Sequence, residues 1–162
     1  MIPRIIHQTW KTDAIPDRFR AFQRSWSEKN PGWTYMLWSD RSLLDFVART
    51  YPELLETFCG YETGVRRADA ARYMLLHHFG GIYADVDAEC LTSLEPLVSE
   101  DRLVLCEEPP SHWDLQLKIR PPIKRLLFNG VMASPAGHRF WPRVLTMLPE
   151  MRDVSDTLDA TG

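Results

Sequence analysis

Between Glu62 and Glu89 the sequence runs from a long amphipathic stretch through two adjacent glycines into an alternating segment that ends in two aspartates. Val65, Ala68, Arg72, Leu75, Leu76 and Phe79 recur with a helical period, and His77-His78-Phe79-Gly80-Gly81 ends that helix on glycine. In Ile82-Tyr83-Ala84-Asp85-Val86-Asp87 apolar residues then alternate strictly with Tyr and Asp, the pattern of a strand with one face in a core. Ile82, Ala84 and Val86 are expected to point inward, and Tyr83, Asp85 and Asp87 to line the opposite face. A helix turned straight into a strand needs a layered partner, which commits the chain to helices packed on a sheet.

The rest of the chain supplies the other layers. Arg4 to Trp10 is β-branched and aromatic after a proline, and predicts a first strand. Phe19, Phe22 and Trp26 give a helix from Pro16 to about Lys29, which Asn30-Pro31-Gly32 stops. Trp33 to Trp38 predicts a second strand, and Asp40 or Ser39 caps a helix carrying Leu43, Leu44, Phe46 and Val47. Pro52 to Phe58 continues helical to a turn at Gly60. Arg102–Cys106 and Gly130–Ala133 read as strands, and His138–Met151 as a helix. Pro109-Pro110 to Pro121-Pro122 predicts an irregular excursion at an active site. Strands interleaved with helices indicate an α/β sandwich with a largely parallel central sheet flanked by helices, in a single domain over residues 1–162.

Composition narrows what such a domain can bind. Lys and Arg number 19 against 22 Asp and Glu, a formal charge of −3, so the chain lacks the basic footprint of a nucleic-acid binder. An anionic ligand must be held by a local cluster or a metal. The three cysteines, Cys59, Cys90 and Cys106, form no CxxC pair, which favours a reducing, cytoplasmic setting. No run reaches 18 apolar residues, so no transmembrane helix is encoded, and any membrane association is peripheral.

The chemistry concentrates on the aspartate strand and the helix before it. Two carboxylates spaced by one residue lie roughly 7 Å apart at Cα and repel each other unless a cation or hydrogen-bond donors intervene. At the C-terminal end of a strand in an open α/β sheet they face the crevice where ligands bind. Oxygen ligands with room for phosphate and water suit Mg²⁺ or Mn²⁺. On the preceding helix, Arg66, Asp69, Arg72 and Tyr73 share an arc of about 120°. Arg66 and Arg72 flanking Asp69 can fix guanidinium groups for a diphosphate, or can form a surface salt-bridge ladder.

Four blocks in order, Ile2–Trp10, Tyr35–Asp40, Arg67–Tyr73 and Gly80–Asp87, resemble glycosyltransferase family 32, whose sugar-binding region contains a DXD motif. Asn129–Pro135 with His138 resembles a weaker fifth block. The family is that of yeast-type mannosyltransferases, and its core is similar to that of clostridial glucosylating toxins. The resemblance implies a GT-A-like (Rossmann-like) fold, a UDP- or GDP-linked sugar donor, Mn²⁺ or Mg²⁺, and hexose transfer with retention to a glycan or related acceptor, as in polysaccharide biosynthesis. It further implies Asp69, Arg72, Asp85 and Asp87 as catalytic residues. Trp10 would stack the nucleobase, and Asp69 and Arg72 would hold the donor sugar and diphosphate. Tyr83 and Asp85 would contact ribose, sugar or phosphate, with Asn129 also at the donor. Asp87, with Asp85, would bind the metal. His7, His77 and His78 are expected to be structural.

The sequence ends at Ala160-Thr161-Gly162, a tripeptide that in the family precedes a further C-terminal segment, so that segment is expected to be lacking. A domain that binds nucleotide sugar without turning it over is therefore one alternative. A DxD phosphatase is another, disfavoured because Asp87 leads into Ala88-Glu89-Cys90 and the motif lies far from the first strand.

Overall fold

The computed structural model describes residues 1–99, 101–108 and 127–152. The expected excursion between Pro109 and Pro122 and the terminal tripeptide lie outside these residues. Strand β1 (Ile5–Trp10) pairs in parallel with β2 (Thr34–Ser39) on one side and β3 (Gly81–Ala84) on the other. Between β1 and β2 runs α1 (Arg20–Lys29), entered by a 3-10 turn at Asp17–Phe19. Helix α2 (Asp40–Thr50) follows β2 directly, then α3 (Leu55–Gly60) and the long α4 (Gly64–Phe79), which returns into β3. A short α5 (Glu95–Val98) leads to β4 (Val104–Glu107), and β5 (Leu127–Ser134) leads to α6 (Phe140–Met151).

The strand order is β2-β1-β3-β5-β4, with β5 antiparallel to both β3 and β4. The expected sheet of helices and mostly parallel strands is thus present in its core, while its β5–β4 half runs the other way. In that half β5 lies antiparallel between β3 and the edge strand β4. Side-chain alternation splits the core into two layers. Trp38, Phe46, Phe58, Leu75, Tyr83, Met132 and Trp141 pack together under α2, α3, α4 and α6. Ile6, Trp26, Ile82, Ala84 and Ala133 pack on the opposite face with α1 and α5. Among the described residues no helix is long and apolar enough to cross a membrane.

Ser39, and not Asp40, caps α2: its Oγ accepts from Ser42 N, and Ser42 Oγ accepts from Ser39 N, a reciprocal box. The glycine turn that the sequence predicts is required on two counts. Gly80 and Gly81 have φ of 64° and 92°, and a Cβ at Gly81 would lie 2.6 Å from Ile5 O. Strand β3 ends at Ala84, so Asp85-Val86-Asp87 forms a turn and does not continue the strand. Tyr83 therefore sits alone on its face, fully buried.

His7 is a core residue. Its Nδ1 accepts from Trp38 Nε1 at 3.1 Å and its Nε2–H donates to Gly80 O at 3.0 Å, which pins the start of β3 to β1. Burial in this setting pulls its pKa from the usual 6.5 down to about 4. An unfolded His7 takes up a proton below pH 6.5 while the folded one stays neutral. Stability is then lost as the pH falls from about 6.5 toward 4, by about 3 kcal/mol from this residue alone. Melting curves between pH 7 and 4.5 should show a flatter acid limb for His7→Gln than for the parent; parallel limbs would mean that other groups carry the acid sensitivity.

Candidate active site

Because β1, β2 and β3 are parallel, their C-terminal ends at Trp10, Ser39 and Ala84 share one edge of the sheet. Open α/β sheets bind ligands at such an edge. A cleft of about 340 Å³ opens there. Thr9, Trp10 and Lys11 line it from the end of β1, and Asp40 from the start of α2. Helix α4 contributes Gly64, Val65, Ala68, Asp69 and Arg72; the turn after β3 contributes Asp85, Val86 and Asp87; β5 contributes Asn129.

Arg72 holds the floor together. It is only 4% exposed, and its Nη2 lies 2.6 Å from Asp69 Oδ1 and 3.2 Å from Asp85 Oδ1. Nη1 donates to Asn129 O at 2.8 Å, and the guanidinium carbon lies 4.5 Å from the centre of the Tyr83 ring. Nε has no acceptor among the described residues. Burial alone would lower its pKa, but Tyr83, Asp85 and Asp69 outweigh it and keep its pKa above the ordinary value. The surface salt-bridge ladder considered for α4 is therefore not what forms: Arg66, Asp69, Arg72 and Tyr73 are all buried.

Asp85 is fixed from several directions. Tyr83 OH donates to Asp85 Oδ1 at 3.0 Å and shares a 2.9 Å hydrogen bond with Thr9 Oγ1. The Asp85 backbone N–H donates to Gly130 O at 2.8 Å, and its carbonyl accepts from Gln8 Nε2 at 3.0 Å. Burial pushes the Asp85 carboxyl pKa up, while Arg72 and the Tyr83 hydrogen bond pull it back. Gly130 is spatially obligatory, because a Cβ there would lie 2.6 Å from Asp85 Oδ2 and 2.2 Å from Phe128 Cζ.

The structure brings six of the residues singled out from sequence to the cleft: Trp10, Asp69, Arg72, Asp85, Asp87 and Asn129. Tyr83 lies beneath it, fully buried, and reaches the cleft only through its hydroxyl on Asp85. Arg66 is buried and does not line the cleft, so the paired-guanidinium reading of α4 reduces to Arg72. Val65, expected on the core stripe, is 64% exposed at the mouth. Trp10 is half-buried, its ring packed edge-on against Phe19 at 5.5 Å. Lys11, Asp40 and Thr9 also line the cleft; Thr9 and Asp40 lie within two of the blocks that carry the resemblance but take no site role from it, and the parallel pairing of β1 with β2 sets their strand ends side by side.

The electrostatics are lopsided. Four carboxylates, Asp40, Asp69, Asp85 and Asp87, line the cleft against two cations, Lys11 and Arg72. Among the described residues no three His, Cys, Asp or Glu side chains gather as a metal cage. Asp87 is exposed and lines the same cleft as Asp85, so their carboxylates suit a hard cation whose remaining ligands come from a phosphate and water.

Residues 16–104 match the family described as a glycosyltransferase sugar-binding region containing a DXD motif. Inositol phosphoceramide mannosyltransferase 3 of Schizosaccharomyces pombe is 36% identical over 148 residues, covering 91% of this chain and 37% of the relative. Mannosyl phosphorylinositol ceramide synthase SUR1 of Saccharomyces cerevisiae is 40% identical over 148 residues, covering 91% of this chain and 35% of the relative. The chain thus spans little more than a third of the length of these relatives. Among solved structures, the PaToxG glycosyltransferase superposes with a TM-score of 0.71 at 17% identity, over 99% of this chain and 66% of that one, a likeness of fold.

Proposed function

Since the chain belongs to the glycosyltransferase family whose sugar-binding region contains a DXD motif, we propose that residues 1–162 form one catalytic domain that transfers a hexose from a nucleoside-diphosphate sugar. The relatives named as mannosyltransferases favour mannose, and with it a GDP-linked donor over a UDP-linked one. They also favour a phosphoinositol lipid as acceptor over the free glycan of polysaccharide biosynthesis. The three free cysteines suit a reducing compartment such as the cytoplasm.

The observation that carries this reading is the charge of the cleft. A diphosphate entering a pocket of four carboxylates and two cations is repelled unless a divalent ion enters with it. Asp87, with Asp85, would hold Mn²⁺ or Mg²⁺, which when bound neutralises charge developing on the leaving diphosphate. In this arrangement Trp10 stacks the base at the mouth, and Asn129 borders the sugar end. Arg72 keeps Asp69 and Asp85 turned toward the donor, and Tyr83 supports Asp85 from below. Asp69 and Asp85 are each tied to Arg72, which makes either a poor nucleophile and favours attack from the leaving-group face, with retention. Trapping a covalent glycosyl-enzyme would overturn that mechanism.

The direct test is release of nucleoside diphosphate from a panel of sugar donors. We expect release to require Mn²⁺ or Mg²⁺, to be fastest with GDP-mannose, and to rise when acceptor is added. Metal-independent release, or donor binding with no turnover under any acceptor, would sink the transferase reading. Trp10→Ala should weaken binding of donor and of free nucleoside diphosphate alike, by about 1–3 kcal/mol if the ring stacks on the base. Titration calorimetry with both ligands checks this. An unfolded variant would instead make Trp10 a packing residue of the Phe19 contact.

A further inference from the structure

Beside the cleft lies a second groove of about 390 Å³, lined by Asp40, Arg41, Leu44, Phe58, Cys59 and Arg67. Asp40 lines both, so a molecule seated in this groove reaches the donor cleft at that residue. The two pockets have opposite character. The donor cleft has an excess of carboxylates, whereas the groove sets two guanidinium groups against one carboxylate, in a chain of net charge −3.

Neither arginine is fully spent on the fold. Arg41 is exposed and forms no ion pair with a described residue. It also stands in the first turn of α2, where the helix macrodipole disfavours a cation. Arg67 is anchored by Nη1, which donates to Tyr61 O at 2.8 Å, and the remainder of its fork has no hydrogen-bond or ion-pair partner among the described residues. A side-chain carbon placed at Gly64 would lie 3.9 Å from both Arg67 Nη2 and Asp40 Oδ2. The two groups thus flank the same gap without pairing. Leu44, 42% exposed, and Phe58 add an apolar wall next to these charges.

We propose that this groove is the acceptor subsite and takes an acceptor carrying a phosphodiester, with Arg41 and Arg67 on its phosphate oxygens. Planar guanidinium forks are the side chains best matched to phosphate. The apolar wall at Leu44 and Phe58 receives the organic part attached to the phosphate, which distinguishes a headgroup from a bare anion. The hydroxyl to be glycosylated then points past Asp40 into the donor cleft. This rests on the transferase reading above, and adds to the acceptor favoured there the groove that seats it and the residues that select it.

The test uses binding to the full chain, so that it does not depend on turnover. Glycerophosphoinositol, inorganic phosphate and myo-inositol are titrated into the parent and into a double variant, Arg41→Gln with Arg67→Gln. GDP-mannose with Mn²⁺ is titrated in parallel. The parent should bind glycerophosphoinositol saturably, and the double variant should lose about tenfold or more of that affinity. Donor affinity should stay within about twofold, because neither arginine lines the donor cleft. If the double variant melts early through loss of the Arg67–Tyr61 contact, Arg41→Gln alone should still lose several-fold. Equal affinity in parent and variants, no saturable binding by the parent, or inorganic phosphate binding as tightly as glycerophosphoinositol each overturns the proposal. A parent that binds glycerophosphoinositol but never GDP-mannose would instead overturn the transferase reading and leave the anionic groove standing.

Discussion

Arg72→Met is expected to cost about 3 kcal/mol of stability, because it removes the cation shared by the buried Asp69 and the partly buried Asp85. Arg72→Lys keeps the charge, yet a single ammonium cannot serve Asp69, Asp85 and the Asn129 carbonyl together. That variant should still fold, with a lowered Tm, and its turnover should drop on the order of 10²-fold once Asp85 is no longer held. Burial adds the stability cost, since a residue 4% exposed cannot be a purely functional contact. Melting temperature and nucleotide release measured on one preparation decide the matter. A Lys variant as stable as the parent would mean that Arg72 does not organise the floor.

Asp87→Asn should do the reverse. Asp87 is exposed on the turn after β3, so removing its charge relieves repulsion among the cleft carboxylates and leaves no cavity. Stability should stay within about 0.5 kcal/mol of the parent, while metal-dependent donor affinity falls by about 2 kcal/mol or more. Thermal shift with GDP-mannose, with and without Mn²⁺, reads both quantities at once. A variant that still gains a Mn²⁺-dependent shift from donor would remove Asp87 from the metal site.

The contrast between these two positions marks how far the residues alone could be read. The spacing of Asp85 and Asp87 and the glycine stop at Gly80-Gly81 are local signals, and each maps onto a local feature. The same is true of β1, β2, α1 and α4, which form where the sequence places them, although Val65 at the start of α4 leaves the core stripe. What the spacing could not tell is where the strand stops. Alternation continues through Val86, but the ladder of β3 with β5 ends at Ala84–Val131; Asp85 keeps a single bond to Gly130 O, and Val86-Asp87 leave as a turn. Nor does a helical arc distinguish a solvated ladder from a buried one; the packing of α6 and β5 against α4 buries Arg72. Asp40 was legible as a candidate cap, a role Ser39 takes, and as the end of the Tyr35–Asp40 block, and its place between two pockets follows from the position of β2 beside β1. The reversed direction of β5 likewise depends on pairing between residues nearly fifty apart in the chain, such as Tyr83 with Met132, for which no short-range pattern exists.

The knot of contacts around Arg72 joins three stretches that are remote along the chain: Asp69 on α4, Asp85 after β3 and Asn129 on β5. Opening any one of them exposes the same buried charge, so the floor of the cleft has no cheap local excursion. Amide protons there, the Asp85 N–H held by Gly130 O among them, should exchange with solvent only when the whole domain unfolds. A ligand seated on this floor is then coupled to the cooperative unit itself. At a hundred times its dissociation constant it would slow that exchange throughout the domain by the roughly 2.7 kcal/mol that such binding contributes. The rim around Trp10, Val65 and Asp87, which carries none of these ties, would be left to move on its own.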